Sequence, residues 1–291
     1  MTVQLVVLAG LLGWQYFYVL RRLVYIWQND GDWSHGFIIP LFSLYYLYMH
    51  RDRMPLHLPR GGAGAAVVGA AVIAGSFGLF AAGWLWHFEY FKAISLVTTL
   101  AGVLLMVCGW PMTRWAWFAV AFLVFAIPVP VSIYVQLTMP LRVIAAQVSA
   151  ALLQGFIPDM IAQGQGALVE YIYDGRPGTL DIEQACSGIR LMMTMMALGV
   201  AMAFVSDRLM WQRLVMILCC VPIAIFCNIV RVTTTGFLVV LGYQDLARGF
   251  WHTMLGMAML FVAFGLYSVI SYVMTHLFIE GEPAAPEGGT L

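Results

Sequence analysis

The sequence predicts an all-α polytopic membrane protein of about eight transmembrane helices, with an extracytoplasmic interfacial helix and a short β-hairpin before the sixth span. Three observations carry that prediction. The 291 residues are 62% apolar and only 10% charged, and mean hydropathy is +0.88; a soluble domain carries about a quarter charged residues. Apolar runs near the ~20 residues that cross a bilayer recur along the whole length. The arginines between them fall into loops that largely agree on one side. A formal net charge of zero gives no electrostatic ground for a nucleic-acid partner.

In order, the runs fall at 3–20, 36–50, 62–83, 91–109, 114–134, 188–205, 212–240 and 252–277. The first has no basic residue before its apolar core and no small-residue cleavage site, so it reads as a retained anchor. The second is short and the seventh long, which leaves counts of seven and nine open. No inverted repeat of the transporter kind is visible. Arg51, Arg53 and Arg60 share one loop, Arg114 lies in another, and Arg208 and Arg213 in a third. With eight spans these loops lie on one side, which the positive-inside rule makes the cytoplasm. Arg21 and Arg22, at the outer end of the first run, are the exception. Both termini are then cytoplasmic, with 1–280 a single multipass domain in the membrane and 281–291 a short acidic tail.

The outward loops are 28–35, 84–91, 136–187 and 242–251, and only the third is long. From Pro140, PLRVIAAQVSAALLQG scatters Arg142, Gln147, Ser149 and Gln154 along an apolar helix, the pattern of a helix lying on the lipid surface. ALVEYIY (167–173), the turn DGRPG (174–178) and TLDIE (179–183) predict a β-hairpin. It delivers the chain to EQACSGIR, 183–190, where the sixth span opens.

Of the five cysteines, Cys108, Cys219, Cys220 and Cys227 lie in or at the ends of apolar spans, where small hydrophobes pack. There is no CxxC pair and no His/Cys metal spacing, so neither metal nor cofactor is expected. Cys186 stands alone on the outer side. A helix N-terminus favours its thiolate, and Arg190 adds positive charge one turn on. A packing residue remains the alternative from this stretch alone. In CNIVRVTTTG, 227–236, Arg231 sits inside an apolar helix, at a cost of a few kcal/mol even on the lenient scale. Asn228 and Thr235 share its face, so it is either a helix-to-helix clamp or a residue with a task. In GFWHTMLG, 249–256, His252 opens the eighth span beside Trp251, and Gly256 leaves room beside it for close helix approach.

One orientation, chosen from loop charges, puts Cys186, Arg231 and His252 at the same depth on the same side. A thiol, a base and a fixed cation are what acyl transfer through a thioester needs. DWSHGFIIP, 32–40, adds Ser34 and His35 at that level; adjacent helical residues diverge by about 100°, so Ser34 is no rival nucleophile, and His35 reads as a supporting or substrate-seating group. Glu183, Asp181 and Asp174 are turn residues, of which Glu183 could also contact substrate.

ACSGIR (185–190), NIVR (228–231), the histidine of FWHTMLG (250–256) and WSHGFIIP (33–40) resemble the exosortase/archaeosortase family of multipass membrane enzymes. The resemblance implies a cysteine transpeptidase or protease acting on secreted proteins that carry a C-terminal Pro-Glu-Pro motif, a transmembrane helix and a basic cluster. The family's proposed catalytic cysteine, arginine and histidine fall on Cys186, Arg231 and His252. Histidine at the third position is the bacterial pattern, which implies an inner membrane with the site on the periplasmic side. Some relatives add a C-terminal domain linked to exopolysaccharide export. This sequence ends eleven residues after Glu280, so any such partnership is expected in trans. Two rival readings remain, a transporter with Arg231 as substrate ligand and a non-catalytic export or polysaccharide-assembly subunit with Arg231 as a clamp.

Overall fold

A computed structural model describes residues 10–55, 62–181, 188–205, 209–243, 245–246 and 249–277. Glu183 and Cys186 lie outside that set, as do the side chains of Arg190 and His252. The anchor before residue 10 and the acidic tail also lie outside it. The chain divides into two compact units, Met1–Leu137 and Thr138–Leu291.

In the first unit, α1 (Phe17–Asn29) follows a helical stretch that breaks at Tyr16. The expected span ended at residue 20; the helix instead carries Arg21 and Arg22 within it. Arg22 is met by Glu89 at 2.8 Å, a local neutralisation that loop-charge counting does not foresee. A 3₁₀ segment, Gly31–Phe37, leads into α2 (Ile38–Met49). Twelve residues rise only about 18 Å, well short of a bilayer core.

Helix α3 (Ala63–Leu85) and the first half of α4 (Glu89–Phe122) pack as an antiparallel pair through small residues. A Cβ at Gly69 would fall 2.7 Å from Met106 Cβ, and one at Gly102 2.8 Å from Ile73 Cγ1. Hydroxyls knit the same seam: Ser76 Oγ donates to the Ser95 carbonyl at 2.6 Å, and the Tyr16 and Thr99 hydroxyls lie 2.8 Å apart. The runs expected at 91–109 and 114–134 form one 38-residue stretch, Glu89–Ala126, but not a straight one. Gly109 takes φ 75°, and Pro111 follows. A straight helix would hold Val97 and Leu123 about 39 Å apart, yet both belong to one core cluster with Ala93 and Ile127. The stretch therefore folds back on itself at Gly109.

Helix α5 (Val131–Phe156), most of it in the second unit, runs unbroken through the expected span boundary, with Pro140 inside it. Its Thr138–Phe156 portion has the length and composition to cross a membrane, as do Ala63–Leu85, Glu89–Ala126, Met210–Val240 and Met254–His276. Five such segments stand among the described residues, which leaves the expected count of eight unconfirmed. The hairpin is part of a three-stranded antiparallel sheet, β1 (Ile161–Gln165), β2 (Leu168–Tyr173) and β3 (Arg176–Asp181), in the order β1-β2-β3. β1 was not expected because IAQGQ has one β-branched residue and a glycine. The β2–β3 turn is only Asp174–Gly175, with φ 51° and 69°, the two left-handed positions of a type I′ turn. Arg176 and Pro177 thus belong to a strand and not to the tip.

Then come α6 (Gly188–Val205), α7 (Met210–Leu218), α8 (Cys220–Val240) and α9 (Gly249–Leu277). Pro222 cannot donate to the Leu218 carbonyl, which separates α7 from α8. The core joins sheet to helices: Val169 and Leu180 pack with Ala146, Ala150 and Leu153 of α5 and Val232 of α8.

Candidate active site

Glycine contacts fix the register of α6, α8 and α9. At one rung, a Cβ at Gly199 of α6 would overlap Cys220 Sγ of α8 and the Tyr267 hydroxyl of α9. Eleven residues along each helix, three turns or about 16 Å, lead to Gly188, Arg231 and Gly256. The α8–α9 pair keeps this register. Cys227 Sγ points to the Met259 carbonyl at 3.8 Å, and a Cβ at Gly256 would lie 3.5 Å from Arg231 Cζ and Nη2. The Arg231 guanidinium therefore rests on α9 at Gly256, one turn from position 252 on the same face. Arg213 Cζ of α7 stands 4.9 Å from the Phe204 ring centroid and Cys220 meets Gly199 further along, so α6 runs antiparallel to the Met210–Val240 stretch that holds α7 and α8. By that count α6 starts at the depth of Arg231.

The sheet approaches the same level. A Cβ at Gly236 would lie 2.7 Å from Leu153 Cδ1 and 3.2 Å from Leu180 Cδ1, so the end of β3 rests on α8. Gly236 is about 8 Å along the axis from Arg231. Six residues, Cys186 among them, lie between Asp181 and Gly188 in the sequence.

Arg231 is 1% exposed. Burying an arginine in a membrane helix costs about 2.5–3.5 kcal/mol on the insertion scale. Helices α5 to α9 contain no Asp or Glu, so they offer this guanidinium carbonyls, hydroxyls and amides in place of a carboxylate. Asn228 precedes it on α8 and is half-buried. Thr235, one turn beyond Arg231, is 4% exposed, and its hydroxyl has no hydrogen-bond partner among the described residues. The α8–α9 register brings Thr235 level with position 252. Its shared face with Arg231 was legible in the sequence, but its alignment with His252 needs the pairing of the two helices.

A family model described as transmembrane exosortase (Exosortase_EpsH) matches residues 27–269. The chain belongs to this exosortase family. The match contains all three motif segments of the second unit and the WSHG segment of the first. No curated protein and no solved structure matches the chain.

The other residues singled out in this exosortase are distributed as follows. Arg190 lies in the first turn of α6 and His252 in the first turn of α9. Ser34 is exposed, and its hydroxyl donates to the Gly31 carbonyl of its own 3₁₀ turn at 3.0 Å. His35 is 6% exposed beside Trp33, ring centroids 5.6 Å apart. Gly36 has a packing reason: a Cβ there would overlap the Trp27 indole, whose Nε1 donates to the Ala126 carbonyl at 2.9 Å. This motif belongs to the first unit, where its Gly36 makes room for Trp27. Among the described residues no three His, Cys, Asp or Glu side chains come together as metal ligands do.

Proposed function

We propose that this exosortase is a membrane cysteine peptidase or transpeptidase that cuts the C-terminal Pro-Glu-Pro and transmembrane sorting signal from secreted proteins through a thioester. The observation that carries the reading is the Arg231 guanidinium resting against Gly256, one turn from His252, at the depth where α6 begins two residues after Cys186. In the proposed reaction, His252 takes the thiol proton of Cys186, and the thiolate adds to the scissile carbonyl. Arg231 holds the charge that develops on the carbonyl oxygen. The imidazolium returns its proton to the leaving amine as the C–N bond breaks, which frees the tail and leaves an acyl-thioester. Water or an acceptor amine, deprotonated by the imidazole, then displaces the thiolate, which recovers the proton. Asn228 orients Arg231, and Arg190 biases Cys186 toward the thiolate. Glu183, His35 and Ser34 serve substrate or support. The protein acts in a bacterial inner membrane with this site outside and both termini inside, among membrane lipids and exopolysaccharide export components.

The test is co-expression with a secreted reporter bearing such a tail, comparing reporter size with Cys186→Ala and Cys186→Ser at equal protein level. Shortening by the wild type and by neither variant is the expected result. Shortening that persists without the thiol overturns the thioester and moves the transporter and assembly-subunit readings forward.

A further inference from the structure

The strand that leads to Cys186 is an edge strand, and its free edge is chemically asymmetric. The two-residue turn makes Tyr173↔Arg176 the closing pair of the β2–β3 ladder, and hydrogen-bonded pairs alternate from there. Arg176, Gly178 and Leu180 therefore direct their backbone groups to β2. Pro177, Thr179 and Asp181 direct theirs away from it. Among the described residues no strand pairs on that side, and Pro177 and Thr179 are exposed. Proline at 177 removes one donor, as proline does on edge strands. That leaves the N–H groups of Thr179 and Asp181 and the carbonyls of all three, concentrated toward the Cys186 end.

The outer face beside this edge is a shallow trough of about 420 Å³. Cross-strand pairing lays down an apolar rung, Ile161–Ile172–Pro177, and a polar rung, Gln163–Glu170–Thr179. The inner face is the packed one, through Val169 and Leu180. An unpaired edge of this kind is a template for an extended chain. Its direction and its end, five residues short of the thiol, fit a chain on its way to be cut there.

We propose that the free edge of β3, through the backbone of Pro177, Thr179 and Asp181, receives the extended segment of a protein substrate as an added antiparallel strand. That segment precedes the substrate's transmembrane tail. The proposal rests on the peptidase reading for the identity of its occupant. Thr179 exchanges two hydrogen bonds with the incoming strand, and the rung at Pro177 favours an apolar residue on the trough side.

The test uses the full-length protein in membranes, with the tailed reporter as probe. In a Cys186→Ala background, Thr179→Cys is oxidised with copper phenanthroline against reporters carrying single cysteines at eight successive positions before the tail. Disulfides at every second position are the expected result, because side chains of an added strand alternate between faces. Disulfides at no position, or equally at all, overturn the proposal. In the thiol-bearing enzyme, Thr179→Pro removes the edge donor without touching a β2 bond and lowers processing about tenfold, whereas Thr179→Val leaves it within twofold. Alternating disulfides with a reporter that the thiol-bearing enzyme never cuts support the edge and sink the peptidase reading. Cutting that survives Thr179→Pro unchanged, with no alternation, does the reverse.

Discussion

Lys92 in the first unit and Arg231 in the second are both deeply buried, as Arg142 of the second unit is too, and the surroundings of Lys92 and Arg231 differ. In the first unit Lys92 is 3% exposed. Its ammonium lies 2.8 Å from Glu89 Oε1 and 3.9 Å from the Trp84 ring centroid, while the other Glu89 oxygen takes Arg22 at 2.8 Å. A carboxylate, two cations and an indole close on one another three residues into a helix. In the second unit Arg231 is buried to 1% exposure on helices that carry no carboxylate at all, with a glycine of the next helix against its guanidinium. A cation answered by a carboxylate of its own unit has its work inside the fold. The helices around Arg231 supply neutral groups only, and it is this charge that the proposed reaction would use, whereas Lys92 has no part in that proposal.

That contrast predicts its largest effect at Arg231. Arg231→Lys keeps the charge but loses the planar fork that holds an oxyanion or carboxylate. Reporter processing should fall by about 10²–10³, the size of losing an oxyanion donor, with membrane-extracted protein at wild-type level. If protein level and processing fall together, Arg231 is a clamp like Lys92, and the contrast breaks.

The complementary change is Glu89→Gln. It leaves the Lys92 ammonium without its carboxylate, although the indole and partial exposure of Glu89 soften the loss. The expected cost is about 2 kcal/mol, below the roughly 3–5 kcal/mol of breaking a fully buried pair. It would be read as an earlier thermal midpoint in detergent, with processing per folded molecule unchanged. Loss of processing without loss of stability would place the first unit's charge cluster in the chemistry and erase the distinction between the two units.

The helical membrane class was legible because composition and run length report solvent directly. Arg231 stood out for a similar reason: a cation in an apolar span is conspicuous. What was not legible is pairing. The fold-back at Gly109 leaves 91–109 and 114–134 as two runs in the sequence, and nothing local says that Ile127 returns to Ala93. The α1 helix continues past residue 20 because Arg22 finds Glu89 across the unit, a partner 67 residues away. β1 has a poor strand composition and exists because β2 offers it a ladder. Gly256 was read as space beside His252; only the α8–α9 register shows that the space is filled by Arg231.

That register makes the smallest prediction and the most local one. At Gly256 an added Cβ would meet the guanidinium at 3.5 Å, ordinary van der Waals contact, so Gly256→Ala should process the reporter within about twofold of wild type. At Gly199, three turns deeper, the same methyl would overlap Cys220 and Tyr267. Overpacking of that kind costs about 1–3 kcal/mol, so Gly199→Ala should lower the thermal midpoint while sparing activity per folded molecule. The pair separates two uses of glycine along one helix bundle: closing the inner rung, and holding α9 open beside the cation at the outer one. Should Gly256→Ala destabilise as much as Gly199→Ala, the outer rung is closed as tightly as the inner. Arg231 would then have no room to change partners when a substrate arrives.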